Sequence, residues 1–286
     1  MDRATRDAYL TRLGVEAGPP SVDALFELFR AHVERVPYET VWLHMGDGWG
    51  IDPNDTVERV AHGGRGGYCY HLNGAFSELL IALGFDVSRH VGGVHPPTGP
   101  NGEEMTNHLV LSVSGLPTED HPSGEWYVDV GLGDALHEPL PLRAGTYVQE
   151  PFTLRLDEST NGIGDWHLTH DRRGSFSGMS WWSAPTAMDA FAERHTYLST
   201  DPESGFVKTL AAQRREATRV HILRGLVFSR VGEGEMQRDI ESRDELFATL
   251  AEVFLLDVRS RDASELDKLW SKLVARHEAW VAAGRP

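Results

Sequence analysis

The chain has 286 residues, 43 of them acidic and 27 basic, for a formal charge of −16, with 40% apolar and 24% charged residues. This is the make-up of an ordinary folded chain of two or three domains, and it excludes a collagen, a coiled coil and a disordered tail. The acidic balance repels nucleic-acid phosphates and anionic membranes, and a single cysteine rules out an intrachain disulfide.

The first residues, Met1-Asp2-Arg3-Ala4-Thr5-Arg6-Asp7, are charged and lack the apolar stretch of a secretory leader, and no run in the chain is long enough to span a bilayer. With one unpaired cysteine, a cytoplasmic setting is expected. Residues 1–85 read as helical. Ser21 caps a helix whose apolar positions Val22, Leu25, Phe26, Phe29, Val33 and Val36 recur at helical spacing until Pro37. A looser Gly-rich segment runs from Gly46 to Gly67. A second helix then carries Leu72, Ala75, Phe76, Leu79, Leu80 and Leu83 on one stripe, with Cys69 at its front edge and Gly84 at its stop.

From Asp86 the texture changes to short strand-like runs at Val87–Val94, Leu109–Val113, Trp126–Val130, Phe152–Leu156 and Trp166–Thr169, the pattern of an antiparallel sheet or barrel. The interval from His95 to Thr106, with Pro96, Pro97 and Pro100, reads as a long surface loop. The pair Trp181-Trp182 fits a core or an interface. After Ser183 the pattern is mixed: a strand pair around Val220–Val231, a helix at Asp244–Leu256, and a last helix at Ser264–Ala283 that opens with Ser264-x-x-Asp267 in the manner of a capping box.

A lone cysteine is ordinarily a small buried hydrophobe. Here Arg65-Gly66-Gly67-Tyr68 precedes it and a helix follows, so the sulfur is expected at a positive helix terminus with the Arg65 guanidinium nearby, both of which favour the thiolate. A thiolate nucleophile needs a base and a group that fixes the base's tautomer. His108, at the head of Leu109-Val110-Leu111, and Asp129, inside Tyr127-Val128-Asp129-Val130, suit those roles; Asp129 also fits the solvent face of an edge strand. There is no HExxH, no zinc-spaced cysteine and histidine set, no GxSxG and no GxGxxG, so neither a metal nor a dinucleotide is expected. Residues 208–224 hold Lys208, Arg214, Arg215, Arg219 and Arg224 against Glu216 alone. They form either a solvated strand face or a landing site for a phosphorylated small molecule.

Several stretches resemble the arylamine N-acetyltransferases: Tyr9-Leu10-x-Arg12-Leu13-Gly14, Val36-Pro37-Tyr38-Glu39, Arg65-Gly66-Gly67-Tyr68-Cys69 with Asn73, Asn107-His108-Leu109-Val110-Leu111, Val128-Asp129-Val130-Gly131, and Leu198-Ser199-Thr200-x-Pro202-x-Ser204-x-Phe206. They come in that family's order. The resemblance implies an α+β fold in three parts: a helical domain at 1–85 carrying the nucleophile, an antiparallel β-barrel at 86–183, and an α/β lid with C-terminal helices at 184–286. It implies Cys69 as nucleophile, His108 as base and Asp129 as its orienting carboxylate, working by ping-pong transfer from acetyl-CoA to an arylamine or hydrazine, with no permanently bound cofactor. By the same resemblance Asn107, Gly131 and His221 serve the CoA side; Lys208, in the basic segment, is our addition to it. Three positions depart from the family's usual residues: Tyr38-Glu39-Thr40 stands for Phe-Glu-Asn, His71 for Glu or Gln, and Leu132 for Phe. All three are expected near the acceptor pocket, with Tyr38 and Leu132 lining it. The rival readings are a related amide synthase that moves a longer acyl chain, a Cys-His-Asp thiol hydrolase, and a silent binding protein.

Overall fold

The computed structural model describes residues 1–96, 99, 102–160 and 162–285. Helices dominate the first part of the chain. α1 (Arg3–Leu13) starts where Asp2 accepts the Thr5 amide at 2.8 Å and ends at Gly14, whose φ of 61° makes the left-handed cap. α2 (Val22–Arg35) begins at Ser21, whose Oγ accepts from the Ala24 amide, and buries Leu25, Leu28, Phe29, His32 and Val33. The chain continues through β1 (Tyr38–Glu39), α3 (Val41–His44) and α4 (Pro53–Ala61). α4 corrects the loose segment read at 46–67: Asp52 caps it, Pro53 opens it, and Thr56, Val57 and Val60 are buried. α5 (Cys69–Ala82) is not the one-sided helix its stripe suggests. It is buried without a break from Cys69 to Ser77 and again at Leu79 and Leu80, so it runs through the middle of the protein. Full burial of Phe76 alone is worth roughly 1.5–3 kcal/mol of transfer free energy.

From Asp86 the chain forms β2 (Asp86–His95), β3 (His108–Ser114), β4 (Trp126–Val128), β5 (Leu140–Pro141), β6 (Gly145–Gln149), β7 (Phe152–Glu158), β8 (Trp166–Thr169) and β9 (Gly178–Pro185). Among the described residues these strands make one antiparallel sheet in the order β5, β4, β3, β2, β9, β8, β7, β6. Its edge strands β5 and β6 are close in sequence, and Tyr147 Oη donates to the Arg143 carbonyl at 2.7 Å across the link, so the sheet curls into a nearly closed barrel. Alternation announces β7, where Phe152, Leu154 and Leu156 are buried and Thr153 and Arg155 exposed. It does not announce β6, which has no buried residue, or β9, buried at four consecutive positions and then exposed at four. Pro97 and Pro100 of the loop expected between β2 and β3 lie outside the described residues.

α6 (Ala192–Thr200) and α7 (Gly205–Lys208) lead into β10 (Ala211–Arg215), β11 (Arg219–Arg224), β12 (Val227–Gly232) and β13 (Met236–Asp239), followed by α8 (Arg243–Glu252) and α9 (Ala263–Ala282). β1 joins this second sheet, whose order is β1, β10, β11, β12, β13, with Tyr38 opposite Gln213. The N-terminal stretch thus supplies a strand to the C-terminal sheet. α9 is capped by Asp262, which accepts the Ser264 amide at 2.7 Å, rather than by the expected Ser264 box. Leu266, Leu269 and Leu273 of α9 share a core with Leu246, Leu250 and Phe254. The two adjacent tryptophans divide: Trp181 is buried and stacks on Tyr127 at 4.7 Å, and Trp182 is 40% exposed. Among the described residues no helix is long and apolar enough to cross a membrane.

Candidate functional site

Cys69 is the first residue of α5, and the loop that delivers it is pinned to β1. The Glu39 amide donates to the Gly67 carbonyl at 2.9 Å, and Gly66 sits so tightly on Pro37 that a Cβ there would lie 1.8 Å from the Pro37 oxygen. The helix terminus favours negative charge on the sulfur. The Arg65 guanidinium does not add to it as expected. It pairs with Glu39 at 3.0 Å and lies over Trp49 at 4.8 Å, because the buried Glu39 carboxylate is the nearer demand for its charge. His71 is not at the pocket either. Its Nδ1 accepts the Tyr68 amide at 3.3 Å and its Nε2 donates to the Gly50 carbonyl at 3.1 Å, so it closes the helix N-terminus as a Glu or Gln would. Burial, with Arg59 and His195 nearby, holds the His71 pKa well below the ordinary value, which keeps Nδ1 free to accept.

His108 heads β3, and Asp129 follows directly on β4. His108 Nε2 donates to Asp129 Oδ2 at 2.7 Å, with both side chains almost wholly buried. The carboxylate is held from four directions. Oδ2 also accepts from Tyr127 Oη at 3.1 Å, while Oδ1 accepts from Asn73 Nδ2 at 2.7 Å and from the Gly131 amide at 3.0 Å. Asn73 lies one turn beyond Cys69 on α5; its Oδ1 accepts the Val130 amide at 2.9 Å, so one side chain locks the cysteine's helix to the aspartate's strand. The other ring nitrogen of His108, Nδ1, is left for Cys69, with which His108 also interacts. Burial pulls the His108 pKa down, but the negative charge of Asp129 and of an ionised Cys69, with a hydrogen bond to each, overrides this and pushes it up to about 10. The Cys69 Sγ lies 3.6 Å from the Asn107 carbonyl oxygen.

Cys69 and His108 open onto a cavity of about 360 Å³ walled by Tyr38, Asn107, Gly131, Leu132, Phe206 and Arg224, among others. Gly131 is pressed against the cysteine: a Cβ there would stand 2.8 Å from Cys69 Cα and from Asn73 Nδ2. Gly131→Ala is therefore expected to cost roughly 1–3 kcal/mol by overpacking and to slow iodoacetamide alkylation of Cys69. An unchanged melting midpoint and alkylation rate would show that this wall yields freely.

The structure does not bring Lys208 or His221 to this cavity. Lys208 is exposed, pairs with Glu203 at 2.8 Å and borders a separate groove of about 830 Å³. His221 lies on the face of β11 opposite Ile222 and Arg224, by strand alternation, and its Nε2 meets Glu216 at 3.2 Å. Asn107 reaches the cavity, but its amide is spent on the Val94 backbone, with Oδ1 accepting the amide at 2.8 Å and Nδ2 donating to the carbonyl at 3.2 Å. The basic segment is largely neutralised within the fold: Arg214 and Arg219 pair with Glu216, and the buried Arg215 donates to the carbonyls of Ala135, Gln149 and Glu150. Sequence reasoning assigns no role to Tyr127, names Asn73 only as part of the resemblance, and places Arg224, which lines this cavity, only within the basic segment read as a solvated face or a phosphate landing site. Its place beside the Arg65–Cys69 stretch, and a polar side chain among the apolar positions of α5, are the signals pointing to Asn73.

Residues 21–263 match a family model described as N-acetyltransferase. The chain is 35% identical over 149 residues to the arylamine N-acetyltransferase / N-hydroxyarylamine O-acetyltransferase of Salmonella typhimurium, a match that spans half of each chain. With the arylamine N-acetyltransferase of Mycolicibacterium smegmatis the identity is 30% over 213 residues, or 71% of this chain and 73% of that one. The solved structure of Mycobacterium marinum arylamine N-acetyltransferase in complex with CoA is 27% identical, covers 92% of this chain and 97% of its own, and gives a TM-score of 0.80.

Proposed function

The chain belongs to the arylamine N-acetyltransferase family and is an acyltransferase, and from that premise we propose that it transfers an acetyl group from acetyl-CoA to the nitrogen of an arylamine or arylhydrazine. The route is ping-pong through acetyl-Cys69, with His108 as the proton carrier and Asp129 as the group that orients it. In this reading residues 1–85 bring the nucleophile, 86–183 the base and carboxylate, and 184–286 the roof of the pocket. The observation that carries it is that Cys69 and His108 open onto one cavity, with the four-fold-anchored Asp129 bonded to His108.

The Cys69 thiolate attacks the thioester carbonyl carbon. A bond to the Cys69 sulfur forms, the carbon–sulfur bond to CoA breaks, and CoA leaves as the thiol with the proton from His108. The amine nitrogen then attacks the acetyl-cysteine carbonyl, His108 takes the nitrogen's proton, and Cys69 departs as the thiolate, restoring the starting pair. The first step exchanges one thioester for another; the second forms an amide, which draws the cycle forward. The N-terminal end of α5 favours the negative charge on the sulfur and on the carbonyl oxygen. The donor is supported by the solved relative whose complex contains CoA.

Intact-mass measurement after incubation with acetyl-CoA tests this. One acetyl adduct is expected on the wild type and none on Cys69→Ala. An unmodified wild type overturns the reading, and faster loading from a longer acyl thioester than from acetyl-CoA reassigns the enzyme to the amide-synthase alternative. Loss of the adduct at the same rate with and without an amine reassigns it to hydrolysis.

A further inference from the structure

Taking the acyl-Cys69 reading as its base, we infer that Arg276, on the C-terminal helix, is a positioning residue for the transfer: it grips the last carbonyls of α7 and so keeps Phe206 in place as a wall of the cavity at Cys69. α7 (Gly205–Lys208) is one turn long and buries none of its residues. A single turn is not stable by itself, and with no buried side chain to seat it, this one is held by its polar groups. Its front end is tied to α6: Ser204 Oγ accepts the Phe206 amide at 3.2 Å and donates to the Leu198 carbonyl at 2.7 Å. The turn carries Gly205 and Phe206 to the cavity, where the Phe206 ring centre lies 5.2 Å from that of Tyr68, the residue before Cys69, and 6.5 Å from that of Tyr38.

A helix leaves its last four carbonyls without partners of its own. In α7 these belong to Gly205, Phe206, Val207 and Lys208, and every one is taken. Gly205 accepts the Thr209 amide at 2.9 Å, Phe206 accepts His44 Nε2 at 2.9 Å, and Arg276 Nη1 donates to Val207 at 3.0 Å and to Lys208 at 2.8 Å. Burial, with Lys272 and Arg276 nearby, pushes the His44 pKa down to about 4, so that imidazole donates as a neutral group. The two bonds from Arg276 are the charge-assisted ones, roughly twice as strong as neutral bonds. Among the described residues no acidic side chain competes for this guanidinium. Its helix is firmly seated: Leu273, three residues earlier on α9, shares a core with Leu210, just beyond α7. Arg276 also stands outside residues 21–263 of the family match, so it reaches the pocket wall from a part of the chain that the match does not cover.

The test isolates the second half of the reaction. The full chain is acetylated on Cys69 with p-nitrophenyl acetate, which carries no phosphate, and loss of the adduct is followed at rising concentrations of 4-methylaniline. In Arg276→Met, which keeps an apolar stem but no donor, the half-saturating amine concentration is expected to rise about 5- to 20-fold with the limiting rate within about twofold, the sign of lost binding rather than lost chemistry. Arg276→Lys should keep part of the wild-type value. Amide hydrogen exchange across residues 206–209 should quicken by about tenfold in Arg276→Met. Phe206→Ala should raise the half-saturating concentration by a similar factor, and the double variant should match Phe206→Ala, because the arginine acts through that ring. Factors that multiply in the double variant overturn the inference. So does an unchanged half-saturating concentration with slow loading from acetyl-CoA, which would give the arginine, at the border of the larger groove, to the donor's phosphates. A limiting rate that falls while half-saturation stays put, or a failure of both Arg276 variants to fold, marks a merely structural residue and overturns it as well. A wild type that takes no acetyl group from either donor fails before any amine is added, and that result falls on the underlying function.

Discussion

Asp129→Asn is expected to slow acetylation of Cys69 by roughly 10³- to 10⁴-fold, the cost of fixing a catalytic imidazole in the wrong tautomer. The environment of Asp129 makes this change severe. Its four hydrogen-bond partners, His108 Nε2, Tyr127 Oη, Asn73 Nδ2 and the Gly131 amide, all donate. An asparagine must turn an NH₂ group toward one pair of them. Turned to Oδ2's side it faces His108 and Tyr127; turned to Oδ1's side it faces Asn73 and a backbone amide. Either way buried donors meet a donor, at a penalty of about 1–3 kcal/mol per unmet group. Asp129→Asn should therefore also melt at a lower temperature. Single-turnover acetylation, followed by intact mass on protein shown to be folded by circular dichroism, separates the two effects. A loss of less than tenfold would remove Asp129 from the orienting role.

His108→Gln is expected to lower the acetylation rate by about 10²- to 10⁴-fold, the usual span for removing a positioned general acid–base, and to change the pH profile in a defined direction. The His108 pKa is pushed up to about 10, from an ordinary value near 6.5, by Asp129 and Cys69 against the opposing effect of burial. A raised cationic group contributes stability that is fully present below about pH 6.5 and is lost as the pH climbs through about 10. The wild-type melting temperature should thus fall between pH 7 and pH 10 by more than that of His108→Gln. Placed beside the His108 imidazole at a helix N-terminus, Cys69 should alkylate with iodoacetamide at pH 6 at least severalfold faster than free cysteine. The substitution should erase that advantage. Equal rates for wild type, variant and free cysteine would leave Cys69 a packed side chain and favour the silent binding protein.

The parts of the fold legible in the sequence are those governed by near neighbours. Ser21 starts α2, the alternation of Phe152, Leu154 and Leu156 marks β7, and Cys69 and His108 can be placed at the start of a helix and at the head of a strand, whereas Asp129, read inside Trp126–Val130, falls just past the end of β4 at Val128. Each follows from a 3.6- or 2-residue period or from a capping side chain, interactions that act over a few residues. What they meet is set by partners far away in the chain. Asn73 reaches Asp129 across 56 residues, and β1 pairs with β10 across a far longer interval. The same long-range choices decide which charges remain available. Arg65, expected at the sulfur, is claimed by Glu39; Lys208 and His221, expected near the donor, are drawn to Glu203 and Glu216; and of the basic segment Arg224 is the member left on the cavity wall. Sequence alone determined the kinds of group available and the local backbone that presents each. Only the tertiary structure decided which of those groups meet, because sheet register and core packing bring together residues whose separation along the chain carries no periodic signal.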